Sequence, residues 1–212
     1  MNRKRIGPAV LVFAVMCMCL TIKEEGYAEK TYQTADSIAR MDVFQIQESA
    51  IGVLLYDSVF LEPRTGPGLE YPEYLQFDLK EGTPVEVFTI SSDYLGNQWA
   101  LVEGTVQGMP MRVYLLFYDA STHEITIQKQ GPWNPAEEKS LDWEYAPVFY
   151  TDAKPRMGPG DNYPLMEDFS DDSLPAVVGC EGEWALVVYY SEGIYGDDLN
   201  RGWLPINSLY IK

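Results

Sequence analysis

Apolar positions in this chain alternate with polar ones in short runs and do not recur at every third or fourth residue. Val85 and Val87 flank Glu86, and Ile125 and Ile127 flank Thr126, the two-residue period of a strand with one buried face. Runs of this kind, at residues 52–56, 59–61, 84–88, 99–103, 112–118 and 124–128, are broken by turn-forming stretches. Those breaks are Lys80-Glu81-Gly82-Thr83, Asp93-Tyr94-Leu95-Gly96-Asn97 and residues 119–123. Further apolar runs follow at 148–150, 174–178, 184–187 and 209–211. No long amphipathic helix is readable between residues 51 and 212, so the pattern predicts an all-β fold. Residues 29–50 leave two readings open, a short helix on the loose spacing of Ile38, Met41, Phe44 and Ile46, or a flexible lead-in. The two prolines and adjacent acids of residues 131–138 read as a linker.

The chain also repeats itself. Pro63-Arg64-Thr65-Gly66-Pro67-Gly68-Leu69-Glu70-Tyr71-Pro72 returns as Pro155-Arg156-Met157-Gly158-Pro159-Gly160-Asp161-Asn162-Tyr163-Pro164, 92 residues on (155 − 63). Trp99-Ala100-Leu101-Val102 returns as Trp184-Ala185-Leu186-Val187. A repeat of this length sets the unit of folding, so the chain holds two copies of one small module. Proline fixes φ and glycine accepts unusual φ, so most of the repeated stretch is turn chemistry.

The N-terminus stands outside this pattern. Asn2-Arg3-Lys4-Arg5 precedes an apolar run from Ile6 to Leu20, shorter than the roughly 20 residues that span a bilayer. With small residues at Gly26 and Ala28, it reads as a secretory signal peptide cleaved after Ala28. Lipidation at Cys17 or Cys19, disfavoured by Met16 and Met18 just before them, and an uncleaved anchor are the competing readings. The expectation is an exported protein of the periplasm, cell envelope or extracellular space, with no membrane span in its mature form.

Charge narrows the partners. The full chain carries a formal charge of −17. Removing residues 1–28 takes four basic and two acidic residues, leaving 11 against 30, or −19. Such a surface repels nucleic acid and polyanionic polymers. Only Cys180 remains among the cysteines, so no internal disulfide staples the mature chain.

The motifs resemble the bacterial SH3-like (SH3b) domains. The second copy carries Arg156-Met157-Gly158-Pro159, Trp184-Ala185-Leu186-Val187, Gly202-Trp203-Leu204 and Leu209-Tyr210-Ile211. The first shares Arg64-Thr65-Gly66-Pro67, Lys80-Glu81-Gly82-Thr83 and Trp99, but has Val113-Tyr114 in place of Gly202-Trp203, with an extra hairpin over 112–128. The resemblance implies two tandem SH3-like small barrels, the first extended by a C-terminal hairpin. The expected layout is a signal peptide (1–28), a leader (29–50), a first domain (51–129), a linker (130–141) and a second domain (142–212). Modules this small sit near the lower limit for an independent core, so the copies are expected to pack together.

Candidate chemistry is sparse. Tyr71, Tyr74 and Tyr163, with Pro72 and Pro164, follow the Pro/Gly loops, a region that the resemblance implies edges a groove; either exposed rings there stack on a peptide or sugar, or each tyrosine simply covers the barrel mouth. Asp168, Asp171 and Asp172, and Asp197, Asp198 and Asn200, are two acidic clusters without the spacing of a calcium loop, so no metal or cofactor is expected. His123 and Cys180 fall in different copies and in no nucleophile motif, so no catalytic residue is assigned. The sequence points to a non-catalytic binding module for a cell-wall peptide, glycan or partner protein. The alternatives are a structural protein whose grooves are filled internally and a carboxylate-based hydrolase.

Overall fold

The alternating segments form strands in a computed structural model of the chain, which describes residues 43–138, 149–170, 173–193 and 197–210. The basic and apolar N-terminus, the cleavage position after Ala28 and Asp171-Asp172 lie outside these residues. In chain order the strands are β1 (Phe44–Gln45), β2 (Ala50–Leu54), β3 (Pro84–Ser92), β4 (Gln98–Val106), β5 (Met109–Asp119) and β6 (Glu124–Ile125). They continue with β7 (Ile127–Gln130), β8 (Ala136–Glu137), β9 (Ala176–Glu181), β10 (Trp184–Glu192) and β11 (Asp197–Pro205). Two short 3-10 turns, Ser58–Leu61 and Ile206–Ser208, are the only helical elements among the described residues.

The first copy is a nearly closed, barrel-like sheet of order β6-β5-β4-β3-β2-β7. Closure depends on Thr126, whose N–H donates to the Phe117 carbonyl while its own carbonyl accepts from Leu55 N–H. The Thr126 hydroxyl also donates to the Leu116 and Phe117 carbonyls, so the chain bends from the β5 edge across to β2. Leu54, Phe77, Val87, Ala100, Val102, Leu115 and Ile127 fill the interior. The second copy contributes a sheet of order β1-β9-β10-β11 around Phe149, Val177, Ala185, Val187, Tyr189, Leu204 and Leu209.

The two sheets share their register in detail. Arg64 exchanges both backbone hydrogen bonds with Tyr114, and Arg156 does the same with Trp203. Val113-Tyr114 therefore occupies the place of Gly202-Trp203, and β5 is the counterpart of β11. Beyond β5 the first copy continues through β6 and β7, and the Leu55 N–H donates to the Thr126 carbonyl as the Tyr150 N–H donates to that of Tyr210. Each β3-type strand also carries a bulge at an equivalent place, at Phe88 and at Val178. A bulge adds one residue to a strand and re-aims its side chain.

Alternation along the two Trp-Ala-Leu-Val strands sends side chains to two different cores. Ala100 and Val102, like Ala185 and Val187, point into their own sheet's interior. Trp99, Leu101, Leu186 and Val188 join Phe88, Val178, Tyr114, Trp203 and Ile46 in a third cluster shared by both copies. The copies thus pack face to face through the strands that carry the repeated tryptophans. Trp99 is fully buried, its indole N–H donating to Asp93 at 3.0 Å, whereas Trp184 is half-buried.

Two segments differ from their sequence reading. Phe44 and Ile46 have helical spacing with Met41, but Phe44–Gln45 is extended and pairs in parallel with Gly179 and Cys180. The stretch read as a linker contains β8, which pairs in parallel with Thr89 and Ile90. In both cases tertiary pairing decides a segment whose local preference is weak.

Candidate functional site

The repeated loop explains its own composition. Arg64 Nη1 donates to the Tyr71 carbonyl at 2.7 Å, and Arg156 Nη1 to the Tyr163 carbonyl at 2.9 Å. Thr65 N–H reaches the Pro72 carbonyl at 3.1 Å, and Met157 N–H the Pro164 carbonyl at 3.0 Å. Each arginine thus folds the loop back on itself and lays the tyrosine ring across the first glycine. A Cβ at Gly66 would lie 2.1 Å from the Tyr71 ring, and one at Gly158 would lie 2.1 Å from Tyr163. No other residue type fits there.

The rings so placed point at the opposite copy. Tyr71 is 5% exposed and Tyr163 8%. The Tyr163 hydroxyl donates to Glu103 at 2.5 Å, and the Arg112 guanidinium lies 5.9 Å from its ring. Arg112 stacks on Phe88 at 3.6 Å, binds Glu181 through both terminal nitrogens at 2.5 and 3.1 Å, and binds Glu103 through Nε at 2.8 Å. The reciprocal place holds Arg201, 5.7 Å from the Tyr71 ring. Arg201 pairs with Glu138, which also accepts from the Tyr114 hydroxyl at 2.7 Å and from the Thr89 hydroxyl. The Glu138 side chain is fully enclosed.

Burial works against the charge on Arg112, but Glu181 and Glu103 outweigh it and hold its pKa above the usual arginine value. Burial likewise opposes the charge on Arg201, and Tyr114, Glu138 and Tyr71 overcome it. Tyr163 is pushed well up, first by burial and then by its bond to Glu103. Every charge here has a partner within the chain, and buried ion pairs of this kind fix geometry more than they add stability.

Of the candidate groove, Tyr71 and Tyr163 lie between the copies, while Pro72, Tyr74 and Pro164 are half-buried at its edge. Arg112, Glu103, Glu181, Arg201 and Glu138 were not singled out from the sequence. For the two arginines the signal was their place two residues before the aromatic in both Arg112-Val113-Tyr114 and Arg201-Gly202-Trp203; the three glutamates carried none.

The open surface is distributed unequally. In the first copy the stretch around the Ser58–Leu61 turn exposes Leu55, Tyr56, Val59 and Phe60, with Phe60 74% exposed, and Leu75 follows at 65%. The β3–β4 turn exposes Tyr94 at 81%, held out by Asp93, which accepts from Leu95 and Asn97 N–H. In the second copy Thr151 and Asp152 stand where the first has Val59 and Phe60, without such a turn, and the large apolar side chains it exposes include Leu165, Leu174 and Tyr190. Acids surround the first-copy stretch: Asp57 and Asp78 both hold Lys80, and Glu62 and Glu73 both hold Arg64.

The remaining candidates stand apart. Asp168 pairs with Lys154 at 2.6 Å, and Asn200 donates to Ser191 and to the Asp198 carbonyl. No group of three or more His, Cys, Asp or Glu side chains placed to hold a metal occurs among the described residues. His123 bonds Tyr118 beside the β5–β6 turn, whereas Cys180 is buried on β9, its thiol pushed up to about 11 by burial. No helix among the described residues is long and apolar enough to cross a membrane. Comparison with protein-family models, with curated proteins and with solved structures finds no match to this chain.

Proposed function

We propose that this chain is an exported, non-catalytic binding module of two tandem SH3-like domains, whose partner is a cationic, apolar protein segment held by the first copy. The observation that carries this reading is the unequal surface. Tyr56, Val59, Phe60 and Leu75 are exposed on the first copy near Asp57, Glu62, Glu73 and Asp78, while Thr151 and Asp152 stand in the places of Val59 and Phe60 in the second. Exposed apolar side chains set among polar ones mark interaction surfaces, and a chain of charge −17 favours a basic partner. A wall peptide or glycan is the less favoured ligand, since Tyr71 and Tyr163 are taken up between the copies.

The test is a fluorescence titration of the full chain with a synthetic peptide of alternating lysine and leucine, beside retention on purified wall sacculi. Saturable peptide binding that Phe60→Ser weakens about tenfold, corresponding to roughly 1.4 kcal/mol, is expected, with no retention on sacculi. Binding that Phe60→Ser leaves unchanged would remove the first-copy surface as the site. A structural role is the second reading, favoured by the internal filling of both loop grooves, and it predicts no binding to either probe.

A further inference from the structure

The contacts between the copies have the form of contacts between two molecules. Phe44, which opens β1, and Ala136, which opens β8, are 92 residues apart (136 − 44), the same displacement as the Pro-Arg loops. Each strand lies just ahead of one copy and pairs with the other. β1 precedes the first copy and pairs with Gly179 and Cys180, while β8 precedes the second and pairs with Thr89 and Ile90. Even the next hydrogen bond is matched, from Ile46 N–H to Cys180 and from Glu138 N–H to Ile90, each at 2.9 Å. Arg112 facing Tyr163 and Arg201 facing Tyr71 complete the reciprocity. An interface in which residue i meets j while j's counterpart meets i's counterpart is that of a two-fold dimer.

The two arms are fastened differently. Phe44 lies on Gly179, where a Cβ would stand 2.4 Å from the ring, and Ile46 enters the shared cluster. At the place of Ile46 the other arm has Glu138, tied to Arg201, Tyr114 and Thr89. An arm bearing isoleucine in that seat would leave the Arg201 charge buried without its carboxylate, so the first arm fits only the β9 edge. Between this arm and β2 lie Gln47, Glu48 and Ser49, all exposed. A short exposed connection between an arm and its barrel is the hinge that strand exchange uses.

We propose that the β9 edge is a strand-acceptor site for residues 43–46 of this chain, filled here from within and able to take the same arm from a second molecule. The exchanged dimer would repeat every contact that the arm makes within one chain, leaving the hinge and protein concentration to set the balance.

Gln45 lies directly opposite Cys180 in the β1–β9 register, so Gln45→Cys provides a reporter within disulfide reach. Isotope-labelled and unlabelled full chains of this variant would be refolded together at high concentration, oxidised and digested. Mass mapping separates the 45–180 link from any link to Cys17 or Cys19. Linked 45–180 peptides with one labelled and one unlabelled half are expected after joint refolding and not after mixing oxidised chains. Finding only same-isotope 45–180 links would overturn the proposal. Where the variant fails to fold or forms no 45–180 link, light scattering on the unsubstituted chain refolded at high concentration decides. A dimer that Phe44→Ala with Ile46→Ala converts to monomer supports the exchange, and either no dimer or one that survives those changes overturns it.

Discussion

The Pro-Arg loop closes with the same backbone hydrogen bonds in both copies, yet just before it one copy exposes Val59 and Phe60 where the other has Thr151 and Asp152. The shared part builds and joins the sheets: arginine to tyrosine carbonyl, tyrosine ring on glycine, tryptophan strand on tryptophan strand. The unshared part faces solvent. Where two copies of one unit fold on each other, identity between them marks what the packing requires, and difference marks what each half is free to offer. The most identical stretch of this chain is therefore largely interior, and the exposed turn of the first copy is a place where the two differ.

The comparison is broken most severely at its tryptophans. Trp99 is enclosed and hydrogen-bonded to Asp93, so Trp99→Ala is expected to cost about 4 kcal/mol in urea unfolding. Trp184→Ala, at a half-buried position, should cost roughly half as much. Equal losses would mean that the shared cluster does not distinguish the copies.

The buried arginines are the next contrast. Glu138→Ala leaves Arg201 enclosed without a carboxylate and should cost about 3 kcal/mol. Glu181→Ala leaves Arg112 its bond to Glu103, so a loss of about 1 kcal/mol is expected from the same measurement.

Alkaline pH probes the second copy. Burial raises Cys180 from 9.0 to about 11, so the folded state holds that proton more tightly than the unfolded chain. The stabilisation is complete below about pH 9 and is lost as pH rises through about 11, by an amount on the order of 2 kcal/mol. Tyr163 and Tyr189, raised chiefly by burial, act in the same direction at higher pH. Denaturant titrations from pH 8 to about 11 should show falling stability, and Cys180→Ala should flatten the early part of that fall. The smallest effect is expected at Phe60→Ser, within about 0.5 kcal/mol of the unsubstituted stability, because the ring is mostly in solvent. A larger loss would place Phe60 in the fold and not on a binding surface.

Much of the architecture was legible because it depends on local rules. The two-residue period at Val85, Glu86 and Val87 marked β3, the turn residues marked the hairpins, and the Pro-Arg repeat marked two units with a common loop. The candidate groove was legible only as a place in the chain. Tyr71 and Tyr163 follow the loops as read, but whether their rings meet solvent or another sheet depends on Arg201 and Arg112, 130 and 51 positions away (201 − 71 and 163 − 112). The apolar residues at 55–56 and 59–61 were read as strand; they instead lie just past the end of β2 and in the Ser58–Leu61 3-10 turn, a distinction that needs the neighbouring strands.

By itself the sequence determined the strand class, the duplication, the glycine-tyrosine loop and the negative charge, since each follows from period, turn chemistry or composition. Tertiary structure alone decided that the tryptophan faces meet, that Arg112 and Arg201 are enclosed by carboxylates from distant segments, and that β1 and β8 cross to opposite sheets. These outcomes rest on which faces remain uncovered once each sheet has closed, and no local pattern of residues contains that information.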